Sequence, residues 1–315
     1  MPTRSGGPIS DASASIPVAH YSCHSSLNSG EPLWAHATRV HTWLALGHPG
    51  PWGAKALAEC DLPAAVKSKL TAFEQTGPHG RVQFIRQAGD SPGGAIPLLL
   101  ARSDGDQPWL RQFTLGRYEE LLAMDLEALV SQPPMVGEAL SEPILLVCVN
   151  GKRDLCCALY GQGVFDTLAQ LAPERVWQTT HLGGHRFAAT AVLLPFGVHY
   201  GRLRPEDAPD LLAATDEGEL LLSRVRGFTV HDEPAQAADF VLRKELNLRG
   251  IQALHWLSTE PQAEGGFVVH FENRQQGGLL KAHVAPSEET YRVYTTTGDP
   301  APDIAGHFRV QRLDS

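Results

Sequence analysis

The sequence lacks several features that mark common classes of protein. No apolar run approaches the roughly 20 residues that a membrane-spanning helix needs. No tract of lysine and arginine forms a surface that could follow nucleic-acid phosphates, and the formal net charge is -9 at pH 7. We therefore expect neither a membrane nor nucleic acid as a partner.

The N-terminal residues also lack the continuous apolar core of a secretory signal, so we expect a cytoplasmic protein. There are only five cysteines, an odd number, and no Cys-x-x-Cys pair. In the cytoplasm such cysteines are expected to be thiols or ligands rather than a disulfide framework. Cys23 and Cys60 are expected to be small buried apolar side chains.

A chain of 315 residues with 43% hydrophobic and 19% charged residues has enough core for two or three domains. Residues 1–19 are rich in Ser, Gly, Pro and Ala and predict a disordered tail. Residues 20–135 predict an N-terminal thioredoxin-like α/β domain, with a helix that runs from Leu62 through Phe73. The proline-rich segment 131–143 indicates the boundary that ends it.

Residues 136–218 repeat this order of elements: a strand, a loop that carries cysteines, a helix from about Leu159, then strands around a histidine loop and a helix. This order predicts a second thioredoxin-like domain. Residues 219–315 predict one or two helices, interrupted near Pro234, and then antiparallel strands with no chemical constellation. The predicted fold class is therefore α/β: two thioredoxin-like domains, each a mixed sheet flanked by helices, with a C-terminal helical and antiparallel β extension.

Thiols and imidazoles gather in the second predicted domain. CVNGKRDLCC supplies Cys148, Cys156 and Cys157, and HLGGH supplies His181 and His185. These are the side chains that bind zinc or an iron-sulfur cluster. The eight residues between Cys148 and Cys157 favour a loop around a cluster over the tight turn of a zinc knuckle. The two glycines between the histidines argue for a loop rather than a helix.

The segments CVNGKRDLCC, HLGGHRFAAT and LPFGVHYGRL, with the earlier CHSS and HPGPWG, resemble the sucrase/ferredoxin-like proteins. Their C-terminal part is similar to the thioredoxin-like [2Fe-2S] ferredoxins. The resemblance runs from Cys23 to about residue 245. It implies that Cys148, Cys157, His181 and His185 bind a [2Fe-2S] cluster, with Cys156 as the alternative to Cys157. No pair of carboxylates for glycoside hydrolysis can be identified.

We therefore expect an electron-transfer or redox-sensing protein with a [2Fe-2S] cofactor and a protein redox partner. The sequence does not decide whether it is an enzyme, but we expect a carrier rather than an enzyme with its own substrate. Two neutral imidazoles would leave the oxidised cluster with about zero charge and raise its potential above that of an all-cysteine ferredoxin. The alternatives are a structural zinc protein that uses the same four residues, and a thiol-disulfide oxidoreductase that uses Cys156 and Cys157.

Overall fold

The computed structural model describes residues 20–76, 79–87, 89, 94–132, 135–263 and 265–313. The disordered tail that we predicted for residues 1–19 lies outside the described residues. Within the described part, no helix is both long and apolar enough to cross a membrane.

The first half of the fold is built around a strand-helix-strand unit. Its elements are α1 (Ser22–Asn28), β1 (Thr42–Gly47), α2 (Ala56–Glu59), α3 (Ala64–Thr76), β2 (Gly80–Arg86), β3 (Ile96–Arg102), β4 (Trp109–Leu115), α4 (Leu126–Ser131) and β5 (Glu138–Ala139). β1 runs parallel to β2 and antiparallel to β3, and β4 is antiparallel to β3. α3 begins directly after Pro63, which suits the start of a helix because proline has no N–H to leave unpaired there.

The second half has the same strand directions. Its elements are β6 (Ile144–Cys148), α5 (Leu155–Leu171), β7 (Val176–Thr179), β8 (Ala191–Leu194), β9 (Val198–Tyr200), α6 (Ala208–Asp216) and β10 (Val225–Phe228). β6 is parallel to β7 and antiparallel to β8, which is antiparallel to β9. Each half therefore has the strand arrangement of a thioredoxin-like sheet.

The two halves share one sheet, because β2 pairs antiparallel with β7 through Ile85 and Thr179 and through Arg86 and Gln178. The resulting ten-stranded mixed sheet has the order β10-β9-β8-β6-β7-β2-β1-β3-β4-β5. The predicted α/β fold class is confirmed. The boundaries placed after residues 135 and 218 stay predictions.

Every residue of β1 and β6 is buried, and apart from Thr42 neither strand contains a polar side chain. Strands covered on both faces read as continuous apolar runs rather than alternating ones. In β6, Leu145 and Val147 join the cluster that packs on α5 and α6. Leu146 and Cys148 face the other way, into a cluster that also contains Trp43 from β1. The second cluster therefore draws on both halves.

The C-terminal region packs on this sheet through one helix. It contains α7 (Glu233–Leu246), β11 (Leu254–Pro261), β12 (Phe267–Asn273), β13 (Leu279–Pro286), β14 (Tyr291–Val293), β15 (Asp303–Ala305) and β16 (Phe308–Leu313). Strands β11, β12, β13 and β16 form an antiparallel sheet that packs on α7, and β14 pairs with β15. The predicted helical and antiparallel extension is confirmed.

The prediction that Pro234 interrupts a helix was wrong. Pro234 lies in the first turn of α7, where its lack of a backbone N–H costs the helix no hydrogen bond. Asp232 caps this end by accepting a hydrogen bond from the Ala235 N–H at 2.8 Å. Residues 225–228, which were assigned to the same helical stretch, instead form β10 at the edge of the main sheet.

Candidate metal centre

Cys148 is the last residue of β6 and is fully buried. Its N–H donates to the Thr190 carbonyl at 3.0 Å, which fixes the end of the strand. α5 crosses directly over this point, since a Cβ added at Gly161 would collide with the Cys148 carbonyl oxygen. Only glycine allows the helix to approach the strand so closely.

Cys156 and Cys157 lie in the first turn of α5, whereas the sequence analysis placed them on a loop and began the helix near Leu159. The helix begins earlier because Asp154 caps it: the carboxylate accepts a hydrogen bond from the Cys156 N–H at 2.8 Å. An aspartate two residues before the cysteine pair was the signal in the sequence that could have indicated this start.

His181 and His185 lie on a loop, as the two glycines between them predicted. Gly183 and Gly184 have φ values of +99° and +66°, a conformation that favours glycine. Side chains also approach both residues, so that an added Cβ would collide with Thr38 at Gly183 and with Arg226 at Gly184. The loop can take this path only with glycine at both positions.

These segments bring three of the four predicted ligands together. The ligand atoms of Cys148, Cys157 and His181 all lie within 4.8 Å of one another. The Cys157 Sγ is 3.8 Å from the His181 Nδ1. Both sulfurs belong to the apolar cluster shared by the two halves of the sheet. The two sulfurs are therefore shielded from water, whereas His181 is half-buried.

His185 lies beside this group rather than within it. Its ring centroid is 5.1 Å from that of His181. Its Nε2 lies 3.3 Å from the Thr296 hydroxyl and 3.5 Å from Asp154 Oδ2. Its Nδ1 is buried and has no hydrogen-bond partner among the described residues. A buried nitrogen without a partner is costly, and a metal would satisfy it.

The pKa shifts of Cys148 and His185 suit metal binding. Hydrogen bonding from Cys157, and then from His181, lowers the pKa of Cys148 well below its ordinary value although burial opposes the shift. The contact with Cys148, together with burial, raises the pKa of Cys157. Burial lowers the pKa of His185. Cys148 and His185 thus favour the forms that bind metals, a thiolate and a neutral imidazole, whereas Cys157 has to release its proton when it binds one. With that proton released, these residues fit a metal centre.

Two arginines that the sequence analysis did not single out hold the histidine loop. The Arg81 Nη2 donates to the His181 carbonyl at 2.6 Å, and the Arg226 Nη1 donates to the Gly183 carbonyl at 3.0 Å. Arg226 is fully buried, and burial lowers its pKa to about 9, so it keeps its charge at neutral pH. The loop is therefore anchored by two positive charges close to the thiols.

Cys156 forms a disulfide with Cys23, which lies on α1. Its sulfur is therefore bonded to carbon and sulfur in this structure and is not available as the alternative ligand. The pairing also contradicts the Cys156–Cys157 redox couple of an oxidoreductase, and the expectation that the cysteines are thiols or ligands. Cys156 and Cys157 are consecutive on α5, so their side chains point in different directions. The Cys157 side chain joins the apolar cluster shared by the two halves of the sheet, whereas the Cys156 side chain packs against Cys23 on α1.

The C-terminal region reaches the site, although the sequence analysis assigned no chemistry to it. The Thr297 N–H and hydroxyl both donate to the Asp154 carboxylate, each at 2.8 Å. Thr296 contacts His185. Asp154 thus caps α5 and also holds the segment after β14 against the histidine. Cys60 lies apart at the end of α2, where its Sγ donates to the Leu57 carbonyl.

The sequence comparison identifies the family. The family model described as sucrase/ferredoxin-like matches residues 33–227, well over half of the chain. The chain belongs to this family, and the resemblance found in its motifs is confirmed. The assignment of Cys148, Cys157, His181 and His185 as ligands stays a prediction.

One curated relative and several solved structures are similar to parts of the chain. Altered inheritance of mitochondria protein 32 of Meyerozyma guilliermondii is 30% identical over 100 residues, 28% of this chain and 36% of that protein. The chain thus matches little more than a third of this relative's length. The wild-type thioredoxin-like [2Fe-2S] ferredoxin of Aquifex aeolicus is 21% identical over 27% of this chain and 97% of its own, with a TM-score of 0.24. A cysteine-to-serine variant of that ferredoxin is 22% identical over 26% of this chain and 96% of its own, with a TM-score of 0.23.

Proposed function

We propose that the protein binds a [2Fe-2S] cluster through Cys148, Cys157, His181 and His185 and transfers or senses single electrons. The observation that carries this proposal is the convergence of two thiols and an imidazole within 4.8 Å, beside a second imidazole whose buried Nδ1 has no partner. Membership of the sucrase/ferredoxin-like family supports it. A cytoplasmic location and a protein redox partner remain predictions.

The side chains would set the charge of the centre. Two thiolates and two neutral imidazoles give an oxidised cluster a formal charge of about zero, against about -2 for four thiolates. The bound cluster supplies a reversible one-electron acceptor. Burial lowers the pKa of His185, which favours the unprotonated ring and leaves a lone pair available for iron.

The two arginines at the histidine loop would favour the reduced state of a bound cluster. The charge of Arg226 is fully buried next to the loop, and Arg81 is bound to the same loop. A positive charge acts more strongly in an apolar interior than in water, so both arginines stabilise an added electron. Leu182 and Phe187 are completely buried beside the histidines.

A structural zinc site that uses the same residues is the second candidate, and one observation favours it. The three ligand atoms lie within 4.8 Å of one another, and the Sγ–Nδ1 distance of 3.8 Å suits two ligands of one tetrahedral ion. Metal-ligand bonds of about 2.0 to 2.3 Å produce such spacings. Iron, sulfide and zinc content therefore distinguish the candidates.

The test is an absorption and low-temperature electron paramagnetic resonance (EPR) spectrum of anaerobically purified protein, before and after dithionite, with iron, sulfide and zinc assays. The proposal predicts about two irons and two sulfides per chain and a signal that appears on reduction. Colourless protein that contains zinc, and that takes up no iron after reconstitution, would support the zinc site instead.

The variant His181→Cys tests the histidine ligand directly. It replaces a neutral ligand by a thiolate, so the midpoint potential should fall by on the order of 100 mV or more. The matched control is His283→Cys, on β13 in the C-terminal sheet, which should leave the potential and the spectrum unchanged. An unchanged potential in a cluster-loaded His181→Cys protein would exclude His181 as a ligand.

A further inference from the structure

A cavity between the two halves of the fold reaches His181. Its volume is about 590 Å³, within the range of about 300 to 1,000 Å³ that is usual for small-molecule sites. Thr180, His181 and Asn150 line it from the second half, and residues of β2, α2 and α3 line it from the first. A molecule in this cavity would lie next to a proposed cluster ligand.

The charged residues of the cavity are mostly positive. Arg39, Lys55 and Arg81 line it, with Glu74 as the acidic residue among the described lining residues. These four give a formal charge of +2, in a chain whose net charge is -9. Glu74 is already engaged, since its Oε1 accepts a hydrogen bond from the Val82 N–H at 3.1 Å. The cavity is therefore a local positive region that would attract an anion.

Two of these cations are available to a ligand. Arg39 and Lys55 are exposed, and within the described parts of the chain neither side chain forms an ion pair or a hydrogen bond. Arg81 lies deeper and binds the His181 carbonyl. The cations thus extend from the surface toward the histidine.

Another part of the lining is apolar. Val40 and Leu57 line the cavity together with alanines 54, 56 and 58. A wall of this kind suits a flat or hydrocarbon-like body, and the cations suit a carboxylate, phosphate or sulfonate on it. The lining therefore matches an amphiphilic organic anion better than an inorganic ion.

We propose that this cavity binds a small organic anion with a redox-active body, which exchanges one electron with the metal centre through His181. The inference rests on the proposed function, since it defines the redox partner of that centre. In the reducing direction, the centre is oxidised by one electron and the bound molecule is reduced by one, and no covalent bond forms or breaks. The first half of the fold thereby gains a role: it supplies the cations of the cavity.

The test uses flavin mononucleotide and riboflavin, which differ in one phosphate, and anthraquinone-2-sulfonate as an anion with another body. Fluorescence and calorimetric titrations compare the wild type with the double variant Arg39→Glu and Lys55→Glu. Flavin mononucleotide should bind the wild type at least about tenfold more tightly than riboflavin, and the double variant should lose this preference. Reduced anthraquinone-2-sulfonate should reduce the oxidised centre of the double variant at least about tenfold more slowly than that of the wild type.

The matched control is Lys281→Glu with Arg309→Glu, which changes the net charge equally but lies on the C-terminal sheet. It should bind and react as the wild type does. The proposal is overturned if neither anion binds the wild type with a dissociation constant below about 1 mM. It is also overturned if riboflavin binds as well as flavin mononucleotide, or if both double variants behave alike.

Iron and sulfide assays on the same samples separate this inference from the proposed function. Cluster-free protein that binds flavin mononucleotide in a charge-dependent way would refute the proposed function and support the anion site. Cluster-loaded protein that binds neither anion would refute the cavity proposal alone.

Discussion

The disulfide between Cys23 and Cys156 joins helices that are distant in the sequence, so its loss should destabilise the protein. The two residues are 133 positions apart. A cross-link over such a loop lowers the conformational entropy of the unfolded chain, by an amount equivalent to about 5 kcal/mol at 25 °C in the chain-entropy model. This is a large part of the roughly 5 to 15 kcal/mol by which domains are usually stable.

The perturbation is Cys23→Ser, Cys156→Ser or both, and the assay is urea unfolding followed by circular dichroism, with and without a phosphine reductant. Each single variant and the double variant should lose about the same free energy of unfolding, since each removes the same bond. Reductant should lower the stability of the wild type toward that of the variants and leave the variants unchanged.

The control is Cys60→Ser, which removes a half-buried free thiol outside the site and should change the free energy of unfolding by less than about 1 kcal/mol. Additive losses in the two single variants would refute the reasoning, because they would show two independent packing effects. Equal stability of Cys23→Ser and the wild type without reductant would refute it as well.

Two further predictions concern packing and pH. Gly161→Ala should destabilise the protein by about 1 to 3 kcal/mol and weaken metal retention, because its Cβ would collide with Cys148. The control is Gly163→Ala on the same helix, where a Cβ has room, so this variant should stabilise the protein by about 0.5 to 1 kcal/mol. Equal effects of the two alanines on unfolding and metal content would contradict this. Burial lowers the pKa of His231 to about 3, from about 6.5 in an unfolded chain. Between these two values only the unfolded chain takes up the proton. The free energy of unfolding should therefore fall by about 2 kcal/mol between pH 7 and pH 5. In the variant His231→Gln, urea unfolding should show a fall in the free energy of unfolding that is about 2 kcal/mol smaller than in the wild type. An equal fall in both proteins would contradict the assignment.

The features that the sequence predicted are those set by local chemistry. The glycines between His181 and His185 predicted a loop, and positive φ values at both positions confirm it. The helix through Leu70 and Phe73 was predicted from apolar spacing and is α3. The motifs around Cys148 predicted the family, which the family model confirms.

The features that the sequence did not predict depend on contacts between distant segments. The Cys23–Cys156 disulfide spans most of the first half of the fold, and no cysteine spacing reveals such a pair. Arg226 reaches the histidine loop from β10, which the sequence analysis had assigned to a helix. Thr297 meets Asp154 across 143 residues, so nothing near either residue indicates the contact. The start of α5 at Leu155 is the exception, since its signal is local: Asp154 caps the helix.

The pairing of β2 with β7 also bears on whether either half can be produced alone. In the intact chain their backbone groups bond to each other around Ile85 and Thr179, and the Thr180 N–H donates to the Phe84 carbonyl at 3.1 Å. A fragment cut between the halves would expose these groups as a bare strand edge, with the shared apolar cluster open beside it. Such an edge recruits other chains. Separated fragments should therefore self-associate, whereas the uncut protein keeps this edge satisfied internally.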